Sequence, residues 1–345
     1  MTHEPAITTG ITLVLLGAFA SGSFGLMLKY CQSWKWEHIW LVYSLIGMLI
    51  VPLGMGYATV VGLQDILNSA DKRNLGLVFL FGLGWGVGAV LYGVALKAVG
   101  LALSFAVVMG LTAAIGSLAP LVLLHASDVP TLRGCVIIAG VLLMVGGVAV
   151  AAWAGHLKEK GLGRSPGVAT ERRSREGFRW GLSVAVLSGV LSPMLNLSFA
   201  YGDPLILQAI QRGTDPVFAA NVVWIVALGA GVLVNATYCC YLISRENSWN
   251  VLLEQRFHYG LALAMAVLWS AGYLFYGFGA SMLGRLAAVV GWPLMSGMTI
   301  ISANLWGLYS GEWSNTGRRP VIVMSFSIFI LCASMAVVAW GNTLR

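Results

Sequence analysis

The chain has 345 residues, of which 58% are hydrophobic and only 10% are charged. An average soluble domain carries about 25% charged residues, so the composition excludes a soluble globular protein and indicates an integral membrane protein. The formal net charge of +7 does not indicate nucleic-acid binding, because much of the basic excess lies between His156 and Arg179, beside a predicted membrane helix.

Ten apolar stretches are long enough to cross a bilayer as helices, which takes about 20 residues each. They are predicted at 7–28, 38–61, 76–96, 102–124, 134–154, 180–200, 216–243, 259–282, 286–309 and 320–340. The first is predicted to be a retained helix, since no Lys or Arg precedes it. The stretches lack the alternation of a membrane β-barrel, so the predicted fold class is an all-α membrane protein. Residues 63–75 and 156–179 are polar enough to be loops.

Five spans lie on each side of the central segment 156–179, which predicts one membrane domain built from two five-helix halves, residues 1–155 and 180–345. Because each half has an odd number of spans, the second half would insert upside down, as in the inverted repeats of secondary transporters. Of the 20 Lys and Arg residues, six fall on the side of the termini and fourteen on the opposite side. The positive-inside rule therefore predicts a cytoplasmic central loop and both termini outside the cytoplasm.

Sequence matches between the two halves support this organisation. One spacing occurs twice, at Trp85, Tyr92, Gly93 and Gly100 and again at Trp269, Tyr276, Gly277 and Gly284. A seven-residue separation brings the Trp and the Tyr to one helix face, so each half offers an aromatic stripe. The ends of the fifth and tenth spans, 149–153 and 336–340, also match, and Ser21 and Ser192 align more faintly. The stripes predict the walls of a site between the halves; packing or interfacial anchoring is the alternative.

Polar residues inside the spans are either satisfied by other helices or line a wet cavity. They include Asn196, Asn221, Asn235, Asn304, Ser21, Ser23 and Ser192. A set of neutral amides, hydroxyls and aromatic rings favours binding of a neutral polyhydroxylated solute. The alternative role of each Asn is a hydrogen bond between helices. The predicted substrate-binding residues are Trp85, Tyr92, Asn196, Trp269, Tyr276, Trp292 and Asn304. Pro193 and Pro293 are predicted to break or kink their helices.

The sequence argues against an enzyme. Its five histidines lie near predicted span ends, and it has no nucleophile elbow or ATP-binding signature, so no catalytic residue, metal or bound cofactor is predicted. Any transport would then draw on an ion gradient, most simply of protons. The middle of the spans holds no Asp or Glu, and Glu37, at the start of the second span, is the predicted coupling or gating residue. An ion pair at a helix start is the alternative role.

Several stretches resemble the L-rhamnose–proton symporter family of the drug/metabolite transporter superfamily. They are 78–82 with Trp85 to Gly88 and Tyr92-Gly93, Trp34 to Glu37 with Trp40, Ala154 to Glu159, Gly213 to Pro216 and, most specifically, Glu312 to Pro320. The resemblance implies ten spans, a central cytoplasmic loop, a bacterial inner-membrane location with periplasmic termini, and uptake of a 6-deoxy sugar with protons. Within it, Ala89 stands where the rhamnose carrier has Asn, Gly272 where it has Gln, and 287–291 lack an acidic residue.

The predicted function is import of a small neutral, rhamnose-like sugar with protons by alternating access. The alternatives are a metabolite or drug exporter, an uncoupled facilitator, and a membrane solute sensor without flux. The predicted partners are the solute and the lipid bilayer, and a homodimer is compatible with the sequence.

Overall fold

A computed structural model describes residues 7–31, 34–99, 101–161, 175–254, 256–311, 313–314 and 316–344. These ranges are almost entirely helical and contain no strand, which confirms the all-α class. The first half comprises α1 (Ile7–Ser23) with a 3-10 extension (Phe24–Tyr30), α2 (Trp36–Ser44), a π-helical stretch (Leu45–Ile50), α3 (Val51–Thr59), α4 (Leu63–Ser69), α5 (Lys72–Val99), α6 (Leu101–Leu124), a 3-10 turn (Ala126–Asp128) and α7 (Leu132–Gly161).

The second half comprises α8 (Arg175–Leu191), α9 (Met194–Tyr201), α10 (Asp203–Gln211), α11 (Pro216–Ala219), α12 (Asn221–Arg245), α13 (Val251–Glu254), α14 (Phe257–Leu283), a 3-10 turn (Gly284–Leu286), α15 (Ala287–Tyr309) and α16 (Arg318–Thr343). Nine segments of the described chain are long and apolar enough to cross a membrane. One of them, Phe257–Tyr309, has 53 residues and contains both α14 and α15. The predicted eighth and ninth spans correspond to these two helices, and the total of ten crossings stays a prediction.

Three predicted boundaries were wrong. The stretch 63–75, expected as a loop, contains the helix α4. The central segment, expected as a loop over 156–179, is helical at both ends, because α7 reaches Gly161 and α8 begins at Arg175. Residues 162–174 lie outside the described residues. Lys158 and Lys160 in the last turn of α7 favour this extension, since cations stabilise a helix C-terminus. The sixth span, expected to end at residue 200, continues as an apolar segment to Gln211 through α10.

The two intramembrane prolines behave differently. The sixth span is broken between α8 and α9, at Ser192 and Pro193, because proline lacks the N–H that would continue the helix. Pro293, by contrast, lies inside α15, which runs past it without interruption. The break places Ser192 and the first turn of α9 at the middle of the bundle.

Contacts between helices connect the halves closely. α7 packs against α16, α1 against α14 and α15, α5 against α12, α8 and α9, α2 against α12 and α14, and α6 against α7, α8 and α15. Glycines allow the closest approaches. A Cβ atom at Gly147 would lie 2.9 Å from Leu331 Cδ2, and one at Gly140 would lie 2.6 Å from Val338 Cγ2. Because higher residue numbers on α7 meet lower numbers on α16, these two helices run antiparallel.

Ion pairs join connections that the sequence places at the same end of the bundle. Arg285 pairs with Asp128 and Arg212 with Asp65 at the end predicted to carry the termini, whereas Lys35 pairs with Glu246 at the opposite end. Glu246 raises the pKa of Lys35, and Lys35 in turn lowers the pKa of Glu246. The charged groups therefore define two polar ends separated by an apolar belt.

Candidate functional site

A cavity of about 350 Å³ lies between the two halves, within the range of about 300–1,000 Å³ typical of small-molecule sites. Ten of its 22 lining residues are aromatic: Phe24, Trp40, Tyr43, Trp85, Tyr92, Trp224, Trp269, Tyr273, Tyr276 and Trp292. Besides the tyrosine hydroxyls, five serine and threonine residues contribute to its polar surface: Ser21, Thr112, Ser192, Ser296 and Thr299. No charged residue of the described chain is among those that line it. We call this space the central cavity.

The repeated Trp–Tyr stripes meet in the central cavity. The indole rings of Trp85 on α5 and Trp269 on α14 stack on each other, with centroids 5.8 Å apart and an interplanar angle of 19°. Tyr92 and Tyr276 line the same space. The serines that align between the halves, Ser21 and Ser192, also lie on its wall. Equivalent positions of the two halves thus face one another across one cavity, while their contact with a solute stays a prediction.

Helix α2 supplies cavity residues that sequence reasoning missed. Tyr43 contacts Trp269 edge-on at 5.8 Å between centroids. The adjoining π-helical stretch contains Gly47, whose carbonyl oxygen is in contact with α14. Tyr273 of α14 donates its hydroxyl hydrogen bond to that oxygen at 3.3 Å. The only available signal was the spacing of Trp36, Trp40 and Tyr43, which is equally typical of ordinary helix packing.

Asn196 lies behind the cavity wall, and its amide is bound to protein groups. The side chain is fully buried. Its Nδ2 donates to the carbonyl oxygens of Gly116 at 2.7 Å and Ala288 at 2.9 Å. Its Oδ1 accepts a hydrogen bond of 2.6 Å from the hydroxyl of Tyr276. One amide therefore links α9 to α6, α14 and α15.

Trp292 of α15 and Thr112 of α6 form the adjoining part of the wall. The indole Nε1 of Trp292 donates to the backbone oxygen of Thr112 at 3.1 Å. Its ring lies against Gly116, where a Cβ atom would collide with it. The hydroxyl of Thr112 is buried without a hydrogen-bond partner, and a buried polar group in that state costs free energy unless a ligand or water satisfies it. Thr112 is thus a cavity group that the sequence did not single out.

Besides Asn196, two more predicted site residues do not line the central cavity. Asn304 donates to the carbonyl of Ile300 in its own helix at 2.9 Å, and it is not among the lining residues. Glu37 is 8% exposed in the first turn of α2, near Cys239 of α12. A solute held in the cavity would touch neither side chain in this conformation.

A second pocket of about 370 Å³ opens at the end of the bundle that carries Arg285. We call it the end pocket; Asn74, His125, Phe199, Tyr201, Asp203, Arg285 and Ala288 are among its lining residues. Burial lowers the pKa of His125, and the charge of Arg285 lowers it further against the opposing effect of Asp128. The end pocket thus brings this imidazole, the carboxyl group of Asp203 and the guanidinium of Arg285 to one space.

The arrangement has the features of a transport protein. Long apolar helices enclose a central cavity walled by aromatic rings and hydroxyls, and the described residues contain no cluster of three His, Cys, Asp or Glu side chains that could hold a metal ion. Comparison with known sequences makes the class specific. The profile of the L-rhamnose-proton symport protein (RhaT) family matches residues 3–343, and the chain belongs to this family. It is therefore a multi-pass inner-membrane transporter and not an enzyme.

Individual relatives agree with the family. The chain is 28% identical to an L-rhamnose-proton symporter of Klebsiella pneumoniae (strain 342), over 99% of both chains. It is 27% identical to one from Escherichia coli O17:K52:H18, over 97% of this chain and 98% of that one. A solved structure described only as a crystal structure of a protein shares the fold, with a TM-score of 0.52 at 18% identity over 99% of both chains.

Proposed function

We propose that this protein carries a small neutral sugar of the L-rhamnose type together with protons, by alternately exposing the central cavity to the two sides of the membrane. The observation that carries the proposal is a charge-free wall of stacked aromatic rings and hydroxyls shared by both halves. Aromatic faces suit the C–H surface of a sugar ring, and hydroxyls suit its oxygens. The names of the relatives support L-rhamnose as the sugar and protons as the coupled ion.

The pairing of helices supports an inverted repeat of residues 1–155 and 180–345. Exchanging the halves maps α1, α2, α5, α6 and α7 onto α8 with α9, α12, α14, α15 and α16. Under this exchange the α1–α14 contact becomes the α5–α8 contact, α5–α12 becomes α2–α14, and α6–α7 becomes α15–α16. The antiparallel packing of the equivalent helices α7 and α16 is the relation expected of halves with opposite orientation.

Glu37 remains our proposal for a coupling or gating group. Its carboxylate is nearly buried at the end of the bundle that carries Lys35, and within the described part of the chain it forms no ion pair. By the charge count, this end faces the cytoplasm.

The direct test is sugar uptake by purified protein in liposomes. Labelled L-rhamnose is expected to accumulate against its concentration gradient when a pH gradient is imposed, and a protonophore is expected to abolish accumulation. Ala89 lines the central cavity, so Ala89→Trp should fill it and stop uptake. Leu233→Trp is the matched control, since Leu233 is 55% exposed on the outer surface of α12.

The outcomes separate the alternatives. Equilibration without accumulation would make the protein a facilitator, and binding without flux would make it a sensor. Export of an amphipathic compound with no sugar uptake would favour the exporter. Full uptake by the Ala89→Trp variant would exclude the central cavity as the route of the solute.

A further inference from the structure

The central cavity and the end pocket are separated by a thin layer of buried side chains. Along α9, Leu195 lines the cavity, whereas Phe199, one turn later, lines the end pocket. Along α15, Ala288 lines the end pocket, and Trp292, one turn later, lines the cavity. The two spaces have no lining residue in common. Asn196, which lines neither, lies between them on α9.

Aromatic contacts seal the layer around Asn196. The rings of Phe199 and Tyr276 meet edge to face, with centroids 5.2 Å apart. Tyr276 also lies against the backbone of α15, since a Cβ atom on Gly291 would be 3.1 Å from its Cε2. Tyr276 and Trp292 meet nearly perpendicularly at 6.3 Å. We call Asn196, Phe199, Tyr276 and Ala288 the barrier layer.

The hydrogen bonds that hold the barrier layer together are all made by the side-chain amide of Asn196. The Asn196 amide uses both N–H groups, on Gly116 of α6 and Ala288 of α15, and its oxygen accepts from Tyr276 of α14. All of these groups are inside the bundle, where a hydrogen bond is stronger than in water and an unsatisfied partner is costly. Separation of α9 from α6, α14 and α15 at this level therefore breaks three hydrogen bonds.

We infer that Asn196 is a positioning residue that keeps a gate closed between the end pocket and the central cavity, and that it does so without contacting the solute. The inference rests on the proposed function, because alternating access needs the cavity to open toward the end pocket in one state. Passage between the two spaces would require the Asn196 hydrogen bonds to break and Tyr276 to move from the backbone of α15. Ser117 of α6 separately donates to Val289 of α15 at 2.6 Å, so the helices stay linked when the amide is removed.

Cysteine accessibility tests the gate without any solute. In a variant whose five native cysteines are replaced, one cysteine is introduced at Asp203 in the end pocket or at Ala89 in the central cavity. A membrane-impermeant thiol reagent is then applied to each face of the membrane. The Asp203→Cys protein identifies the face to which the end pocket opens, whatever the orientation of the chain. Ala89→Cys should be protected from that face.

Three second substitutions are then compared in the Ala89→Cys protein. Asn196→Leu removes all three hydrogen bonds, and Tyr276→Phe removes one hydroxyl while keeping the ring. Both should raise the labelling rate from the end-pocket face, by about tenfold for Asn196→Leu and less for Tyr276→Phe. Asn221→Leu is the matched control, because Asn221 is a buried amide that binds Thr59 Oγ1 at 2.9 Å, away from both pockets.

The result that overturns the gate is unchanged labelling in both variants, or an equal rise with Asn221→Leu. If Asn196→Leu does not fold, the Tyr276→Phe protein decides alone. Absence of L-rhamnose uptake by the unsubstituted protein, together with the expected labelling pattern, would contradict the proposed substrate and leave the gate intact. Normal uptake with unchanged labelling would contradict only the gate.

Discussion

The hydroxyl of Thr112 contributes differently to the stability of the fold and to the binding of a solute. Its hydroxyl is buried, lacks a partner and lies on the cavity wall, whereas its backbone oxygen is used by Trp292. Such a hydroxyl contributes little to the stability of the empty protein, because its desolvation is not compensated. It becomes favourable once a solute hydroxyl reaches it.

We expect Thr112→Val to leave the thermal stability of the empty protein unchanged or slightly raised, and to weaken solute binding about five- to tenfold, the loss of one hydrogen bond. Ser104→Ala is the control, since Ser104 on the same helix also has an unpaired buried hydroxyl but does not line the cavity. Thermal unfolding with and without L-rhamnose measures both effects. Equal loss of binding in the two variants would show that the hydroxyl of Thr112 is not a solute contact.

At this scale the aromatic part of the cavity was more predictable than its polar part. Trp85, Trp269 and Trp292 were expected at a site, and they line one cavity. Aromatic residues repeated at helical spacing in two halves carry information about position. An isolated amide does not, so Asn196 behind the wall and Asn304, bonded within its own helix, could not be distinguished from the sequence.

At the scale of the helices, small residues decide which faces meet. On α7, Gly147 is buried against Leu331. A Cβ atom at the neighbouring Gly146 would meet no neighbouring side chain or helix within 4 Å. Glycine at Gly147 therefore permits the approach of α16, while Gly146 faces outward. The repeated end of α7 and α16 was visible in the sequence, but their direct packing was not, because similarity between segments contains no information on which of them touch.

Gly147→Leu should destabilise the protein by about 1–3 kcal/mol, because the added side chain overpacks the α7–α16 interface. Gly146→Leu is an adjacent control with the same change in helix propensity and should have little effect. Unfolding midpoints in detergent compare them. Equal shifts for the two variants would contradict the antiparallel contact described for α7 and α16.

At the scale of the whole molecule, the sequence predicted the class and most span positions, since apolar length is a strong signal. It missed α4 and the extension through α10, because short helices at the ends of spans have too little apolar length to be recognised. Each ion pair joins two connections that were predicted on the same side of the membrane, which agrees with the predicted assignment of the connections to the two ends. Which end faces the cytoplasm depends on the positive charge alone.

Cysteines at Gln211 and Tyr309 test that orientation, since both positions are exposed and lie at opposite ends of the bundle by the predicted topology. With fourteen of 20 basic residues predicted on the Tyr309 side, an impermeant thiol reagent should label Gln211→Cys in intact cells and Tyr309→Cys only after the membrane is opened. The reverse pattern would place the central segment outside the cytoplasm.

The stacked indoles give the protein a spectroscopic property. Five of its 13 tryptophans, Trp40, Trp85, Trp224, Trp269 and Trp292, line the central cavity. Indole emission depends on the polarity around the ring, and a solute that displaces water from this wall changes the surroundings of several rings at once. The intrinsic tryptophan fluorescence of the unlabelled protein therefore reports whether the central cavity contains water or a solute.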